Sequence, residues 1–147
     1  MKKSELLSFI DAQPILILTT MNGTQPETRA MINIRNANIA PHLTEYFRKY
    51  ARILFITNTH TDKIKQIRKN LVAALYAYNN EWAGLLLTGK IREVNDEETI
   101  NALWDDSWKM YYPDGRDGGD FSVLEFLPEN FKSYSGADFS KKAGKIE

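Results

Sequence analysis

The sequence predicts a mainly β, α+β domain: six to seven antiparallel strands forming a small barrel, with helices flanking it. Three observations predict it. The β-rich runs follow one another across short turn signals instead of alternating regularly with helices, which disfavours a doubly wound parallel sheet. The helical stretches are few and short. The 147 residues are 43% hydrophobic and contain no cysteine, so a single core must hold the fold without disulfides or thiolate metal sites, and a chain of this length can bury one.

The elements follow in order. Ser4–Asp11 has an apolar stripe of Leu6, Leu7 and Ile10 with Ser4 as its cap, which predicts a short helix that Pro14 ends. Ile15–Met21 is β-branched and contiguous and reads as a buried strand. Asn22-Gly23 predicts a type I′ hairpin turn. The return strand is expected over Glu27–Ile34, where alternation groups Arg29, Met31 and Asn33 on one face and Ala30, Ile32 and Ile34 on the other. The second set can face a core. After Pro41 a helix is expected in HLTEYFRKY, then a strand over Arg52–Asn58 and a helix over Thr61–Asn70. Leu71–Tyr78 and Trp82–Val94 read as strands, and Gly84 and Gly89 within the second suggest bends or close backbone approach. Asn95 is expected to cap a helix that runs to Met110 and turns Ile100, Leu103, Trp104 and Trp108 inward. A Gly- and Asp-rich loop then leads to strands over Phe121–Leu127 and Phe131–Ser135. Residues 1–140 form one domain in this reading, and the charged tail 141–147 is expected to be flexible.

Composition excludes several functions. No apolar run approaches the roughly 20 residues of a membrane span, and the lysine-containing start has no apolar signal region, so no membrane role and a cytoplasmic location are expected. Two histidines, His42 and His60, are too few for a His-rich metal site. Residues 1–74 carry 11 Lys/Arg against 5 Asp/Glu, whereas residues 75–147 carry 8 against 14. A chain divided into +6 and −6 is not coated for nucleic acid. It suggests an anion site in the first half or polar self-association, beside the simpler reading of two solvated faces.

The segment Ile56-Thr-Asn-Thr-His-Thr-Asp-Lys63 carries the most chemistry. A strand ends, a turn follows, and a helix begins near Thr61. The first helical turn leaves N–H groups unpaired at the positive end of its dipole, where an anion fits. Lys63 opposes that dipole unless an anion offsets both. The plainer alternative makes Thr61 an ordinary N-cap and Lys63 a solvated charge. On the return strand, Arg29 beside Met31 suits a ligand with an anionic end and a flat apolar end, or is an exposed arginine on a half-solvated strand.

Taken in order, Arg29-Ala-Met, Phe-Ile-Thr-Asn-Thr-His-Thr-Asp-Lys63, Gln66-Ile-Arg-Lys-Asn70 and Leu-Thr-Gly-Lys-Ile resemble the pyridoxamine 5'-phosphate oxidase-like FMN-binding split barrels across residues 10–135. Tyr112-Pro-Asp-Gly-Arg-Asp-Gly-Gly-Asp-Phe121 resembles the general stress protein branch. The resemblance implies an antiparallel split barrel, FMN as cofactor, and a homodimer with FMN at the subunit interface. It implies phosphate binding by Arg29, Thr61 and Lys63, contact of Ala30, Met31 and Ile32 with the flavin, and Thr57 and Asn58 beside the ring and ribityl chain. Trp108, Tyr112 and Arg116 are candidates for closing the partner's site.

The chain also departs from the true oxidase. Ile34 replaces the lysine that helps bind substrate phosphate, and Asp62 replaces the arginine before the phosphate-binding lysine. PENFKSYSG lacks the C-terminal Arg-x-His pair. The expected function is therefore a flavin-dependent oxidoreductase of unknown substrate with a stress-related role, and not vitamin B6 oxidation. No residue stands out as a catalytic acid, base or nucleophile. The alternative is a non-catalytic flavin- or haem-binding or sensing protein, with His42 or His60 as the available axial imidazoles.

Overall fold

The computed structural model describes residues 1–147. The elements are α1 (Lys3–Asp11), β1 (Ile15–Asn22), β2 (Gln25–Ile32), α2 (Thr44–Lys49), β3 (Ile53–Asn58), α3 (Asp62–Lys69), β4 (Val72–Tyr78), β5 (Gly84–Val94), α4 (Glu97–Leu103), β6 (Phe121–Tyr134) and β7 (Lys141–Lys145). All strand pairs are antiparallel, in the order β2-β1-β4-β5-β6-β3, and β7 adds to β6. β2 and β3 do not pair, so the barrel is open. The expected fold class is correct.

The inner residues of β1 and its neighbours (Leu16, Leu18, Leu75, Leu87, Phe55, Phe126) pack with Leu6 and Ile10 of α1 and Ile64 and Ile67 of α3. These two helices close the main core. A second core lies where Leu43, Phe47, Leu54, Val94, Leu103, Trp108 and Tyr112 meet. The two cores are joined through β3, whose Phe55 serves the first and Leu54 the second.

Several local expectations are corrected. Lys2, not Ser4, is the N-cap of α1. The β1–β2 loop is Gly23-Thr24, closed by the Asn22–Gln25 pair, with φ +61° at Gly23. Glycine at the first central position is the type II′ pattern, not type I′. The inward face of β2 is the reverse of that expected: Met31 and Asn33 are buried, whereas Ile32 is 55% exposed. Asn33 sets this register. Its side-chain amide donates to the carbonyls of Ile10 and Gln13 at 2.9 and 2.8 Å, and so ties the strand end to α1. Ile34 is buried because the chain has left the strand by then.

The helix expected to reach Met110 stops at Leu103. Asp96, rather than Asn95, caps it by accepting from the Thr99 N–H at 3.0 Å. Trp104 turns extended, and Asp105 then caps a separate 3-10 segment, Asp106–Met110, by accepting from the Ser107 N–H. Asp-Asp-Ser offers the backbone side-chain bonds that compete with a continuing helix. Trp108 is buried as expected, and Trp104 is half-buried. The last two expected strands are one: β6 runs on through Pro128, which lies opposite Gly89, and the bulge between Thr88 and Gly89 leaves Glu129 as the extra residue. A Cβ on Gly89 would lie 2.1 Å from the Leu127 carbonyl oxygen, so only glycine permits that approach. The segment expected as a flexible tail forms β7, because β6 runs long enough to leave residues 130–134 an edge for it. Its three lysines discourage further pairing.

Candidate functional site

The β2 end, the β3–α3 turn and the first turn of α3 surround an open depression of about 510 Å³ lined by Glu27, Thr28, Arg29, Thr61, Asp62 and Lys63. Thr61 is the N-cap of α3, but its hydroxyl donates back to the Asn58 carbonyl at 3.1 Å instead of capping. No side chain therefore caps the helix start. Asn58 accepts from the His60 N–H at 2.8 Å, which tightens the turn that aims α3.

Two cations meet here. Lys63 Nζ donates to Thr57 Oγ1 at 2.9 Å. Arg29 donates to Thr20 Oγ1 at 2.6 Å, to the Glu27 carbonyl at 3.1 Å and to Gln66 Oε1 at 3.3 Å. Neither cation forms a salt bridge with a carboxylate. Burial lowers the pKa of Arg29, and the charges of Glu27 and Asp62 only partly oppose it. Burial also lowers that of Lys63, the charge of Arg29 lowers it further, and the charge of Asp62 only partly opposes them. Two half-buried, mutually repelling cations at an uncapped helix start form a site that an anion would stabilise.

The other predicted residues divide. Thr57 is buried and Asn58 half-buried at the end of β3, beside the cations. Ala30 and Ile32 face outward from β2, whereas the Met31 side chain lies in the main core and leaves only its backbone for a ligand. Trp108 and Tyr112 belong to this chain's own second core, and the exposed residues of that segment are Met110 and Tyr111. Arg116 is bound to Glu97 and Asp117. Arg35 is buried against Asp11 at 2.6 Å and donates to the carbonyls of Tyr50 and Arg52. It is a structural cation. Thr20 and Gln66 were not foreseen at the site; Gln66 opens one of the segments that carry the family resemblance, but the role of both residues depends on the approach of α3 to β1. A separate, more apolar cleft of about 300 Å³ has Glu5 and Lys142 as its charged lining and no comparable pair of cations.

The model of the family described as "Pyridoxamine 5'-phosphate oxidase like" matches residues 9–138. The chain belongs to this family. Known structures agree on the fold of this pyridoxamine 5'-phosphate oxidase-like chain. A protein related to general stress protein 26, from Clostridium acetobutylicum, is 24% identical with a TM-score of 0.73, over 97% of this chain and 93% of that one. A pyridoxamine 5'-phosphate oxidase-related, FMN-binding protein from Nostoc punctiforme is 14% identical with a TM-score of 0.62, over 96% and 90%. A heme-binding protein from Mycobacterium smegmatis is 13% identical with a TM-score of 0.69, over 97% of this chain and 57% of that one. No curated protein sequence matches the chain. No helix is long and apolar enough to cross a membrane.

Proposed function

We propose that this pyridoxamine 5'-phosphate oxidase-like chain binds FMN as a homodimer and serves as a flavin-dependent oxidoreductase. The observation that carries the reading is the pair Arg29 and Lys63, two half-buried cations with lowered pKa and no salt bridge. With Thr61 and the uncapped N–H groups of α3, they suit a phosphate near −2 charge. Ala30 and Ile32 offer outward apolar contact for a flavin ring, and Thr57 and Asn58 offer polar groups next to it. Bound FMN would supply the redox chemistry; these residues bind and orient it.

Haem is the weaker reading. His42 Nε2 is hydrogen-bonded to the Leu103 carbonyl at 3.1 Å, and its ring packs edge-on against Trp108. His60 is exposed and lies 3.3 Å from Asp120. Neither imidazole is placed in an apolar pocket of haem size. A vitamin B6 phosphate is also disfavoured as substrate, because Ile34 is 1% exposed and Arg35 and Arg116 are engaged elsewhere.

Titration of the apo-protein with FMN and riboflavin, followed by flavin fluorescence, tests the proposal. FMN is expected to bind more tightly by about 10-fold or more, as a charged hydrogen bond would give. Equal affinities would remove the phosphate assignment, and a Soret band in the purified protein would favour haem.

A further inference from the structure

We infer that Thr20 and Gln66 are positioning residues that hold the Arg29 guanidinium ready for phosphate while leaving its charge uncancelled. This inference rests on the FMN reading and extends it to side chains behind the site. Thr20 is 0% exposed and Gln66 7% exposed, on β1 and α3 respectively. Thr20 Oγ1 accepts from Arg29 Nη1 at 2.6 Å and donates to Gln66 Oε1 at 2.6 Å. The same Oε1 accepts from Arg29 Nη2 at 3.3 Å. Gln66 Nε2 donates to Glu27 Oε1 at 2.5 Å, which fixes the amide with its oxygen toward the arginine.

The acceptors around Arg29 are thus a hydroxyl, an amide and a backbone carbonyl. Lys63 is held the same way, by the Thr57 hydroxyl. Neutral oxygens orient a cation without neutralising it, whereas a carboxylate at position 66 would compete with an incoming phosphate. Gln66 is also three residues after Lys63, on the same side of α3, so one helix places both the second cation and the support for the first.

The test compares FMN and riboflavin binding in wild type, Thr20→Val, Thr20→Ser, Gln66→Leu and Gln66→Glu. Thr20→Val and Gln66→Leu are each expected to lower the FMN-to-riboflavin affinity ratio by about 10-fold, as loss of a hydrogen bond to a charged group would. Gln66→Glu should abolish the ratio, and Thr20→Ser should keep it. In an Arg29→Ala background, Thr20→Val should have no further effect. An unchanged ratio in both Thr20→Val and Gln66→Leu, or an equal fall in the Arg29→Ala background, overturns the inference. A wild type that binds both flavins equally fails the FMN reading instead. Nitrogen NMR of the Arg29 guanidinium, which needs no flavin, then judges the positioning alone: signals ordered in wild type and released in Thr20→Val support it, and signals unaltered by the substitution overturn it.

Discussion

Lys63 carries its charge against two penalties, burial and the nearby Arg29 cation. A phosphate whose negative charge offsets both makes Lys63 and Arg29 the two residues on which binding depends most. Lys63→Ala and Arg29→Ala are each expected to weaken FMN by about 10-fold or more, from loss of a charged hydrogen bond, and to leave riboflavin nearly unchanged. Unchanged FMN binding in both variants would place the phosphate elsewhere. The same physics gives a pH profile. In the free protein the Lys63 pKa is below its usual 10.5, and a bound dianion raises it again. FMN affinity is therefore complete below the free-protein pKa and falls as pH rises from there through that of the complex. Lys63→Arg should abolish the alkaline decline, because arginine stays protonated. A wild-type affinity that stays flat up to strongly alkaline pH would contradict the assignment. Residues that are absent matter equally. With Ile34 buried where the oxidase has a lysine, FMN-loaded protein should turn over pyridoxamine or pyridoxine 5'-phosphate at well below about 1 per second, the low end of ordinary enzymatic rates. An assay of pyridoxal phosphate and peroxide checks this.

At the scale of elements, β3, β5 and β6 are locked by Glu125, which is 5% exposed. It accepts from Arg52 at 2.8 Å and from Arg92 at 2.6 Å, and Arg52 also donates to Tyr46 and Thr99. Burial alone would raise the Glu125 pKa, but the two arginines outweigh it, and the net shift is downward. A carboxyl with a depressed folded pKa stabilises the fold above its unfolded value and loses that contribution as pH falls through the folded one. Glu125→Gln is expected to lower stability by about 2 kcal/mol in urea unfolding near neutral pH, discounted because Arg92 is largely solvated, and to flatten the acid limb of the stability profile. An unaltered acid limb would show that Glu125 does not drive it. None of this lock was legible in the sequence, because its members come from distant segments. Strands β1 to β5 and the β3–α3 turn were legible, since Ile-Leu-Ile-Leu has a strand's composition and Thr-Asn-Thr-His-Thr-Asp-Lys63 carries turn-forming side chains ahead of a helical stretch; the unbroken β6 and the added β7 were not. The facing of β2 was not. Its alternation fixes two faces, but Asn33 bonding to α1 decides which one turns inward.

For the whole molecule, the outer face of β2-β1-β4 poses the question of what covers it. Ile15 pairs with Ile32, and Ile17 lies between Ala30 and Tyr76. Ile15, Ile32, Val72 and Tyr78 are 52%, 55%, 53% and 56% exposed. An apolar sheet face of this kind suits a second copy of the chain, as the FMN proposal requires. Ile15→Lys tests it with little risk to the monomer, because the side chain is half in solvent and outside both cores. In an isologous dimer each substitution occurs twice across the interface, so two unpaired ammonium groups must be desolvated on association. If each costs about 1.5 kcal/mol, the dimer dissociation constant rises on the order of 100-fold. Sedimentation at low micromolar concentration should show wild type as dimer and Ile15→Lys as monomer, with similar unfolding midpoints. If FMN sits between subunits, the monomeric variant also loses affinity for FMN and riboflavin alike, which separates it from Lys63→Ala. A monomer that holds FMN as tightly as the wild type would place the whole flavin site within one chain, and a variant that stays dimeric would move the interface off this sheet face.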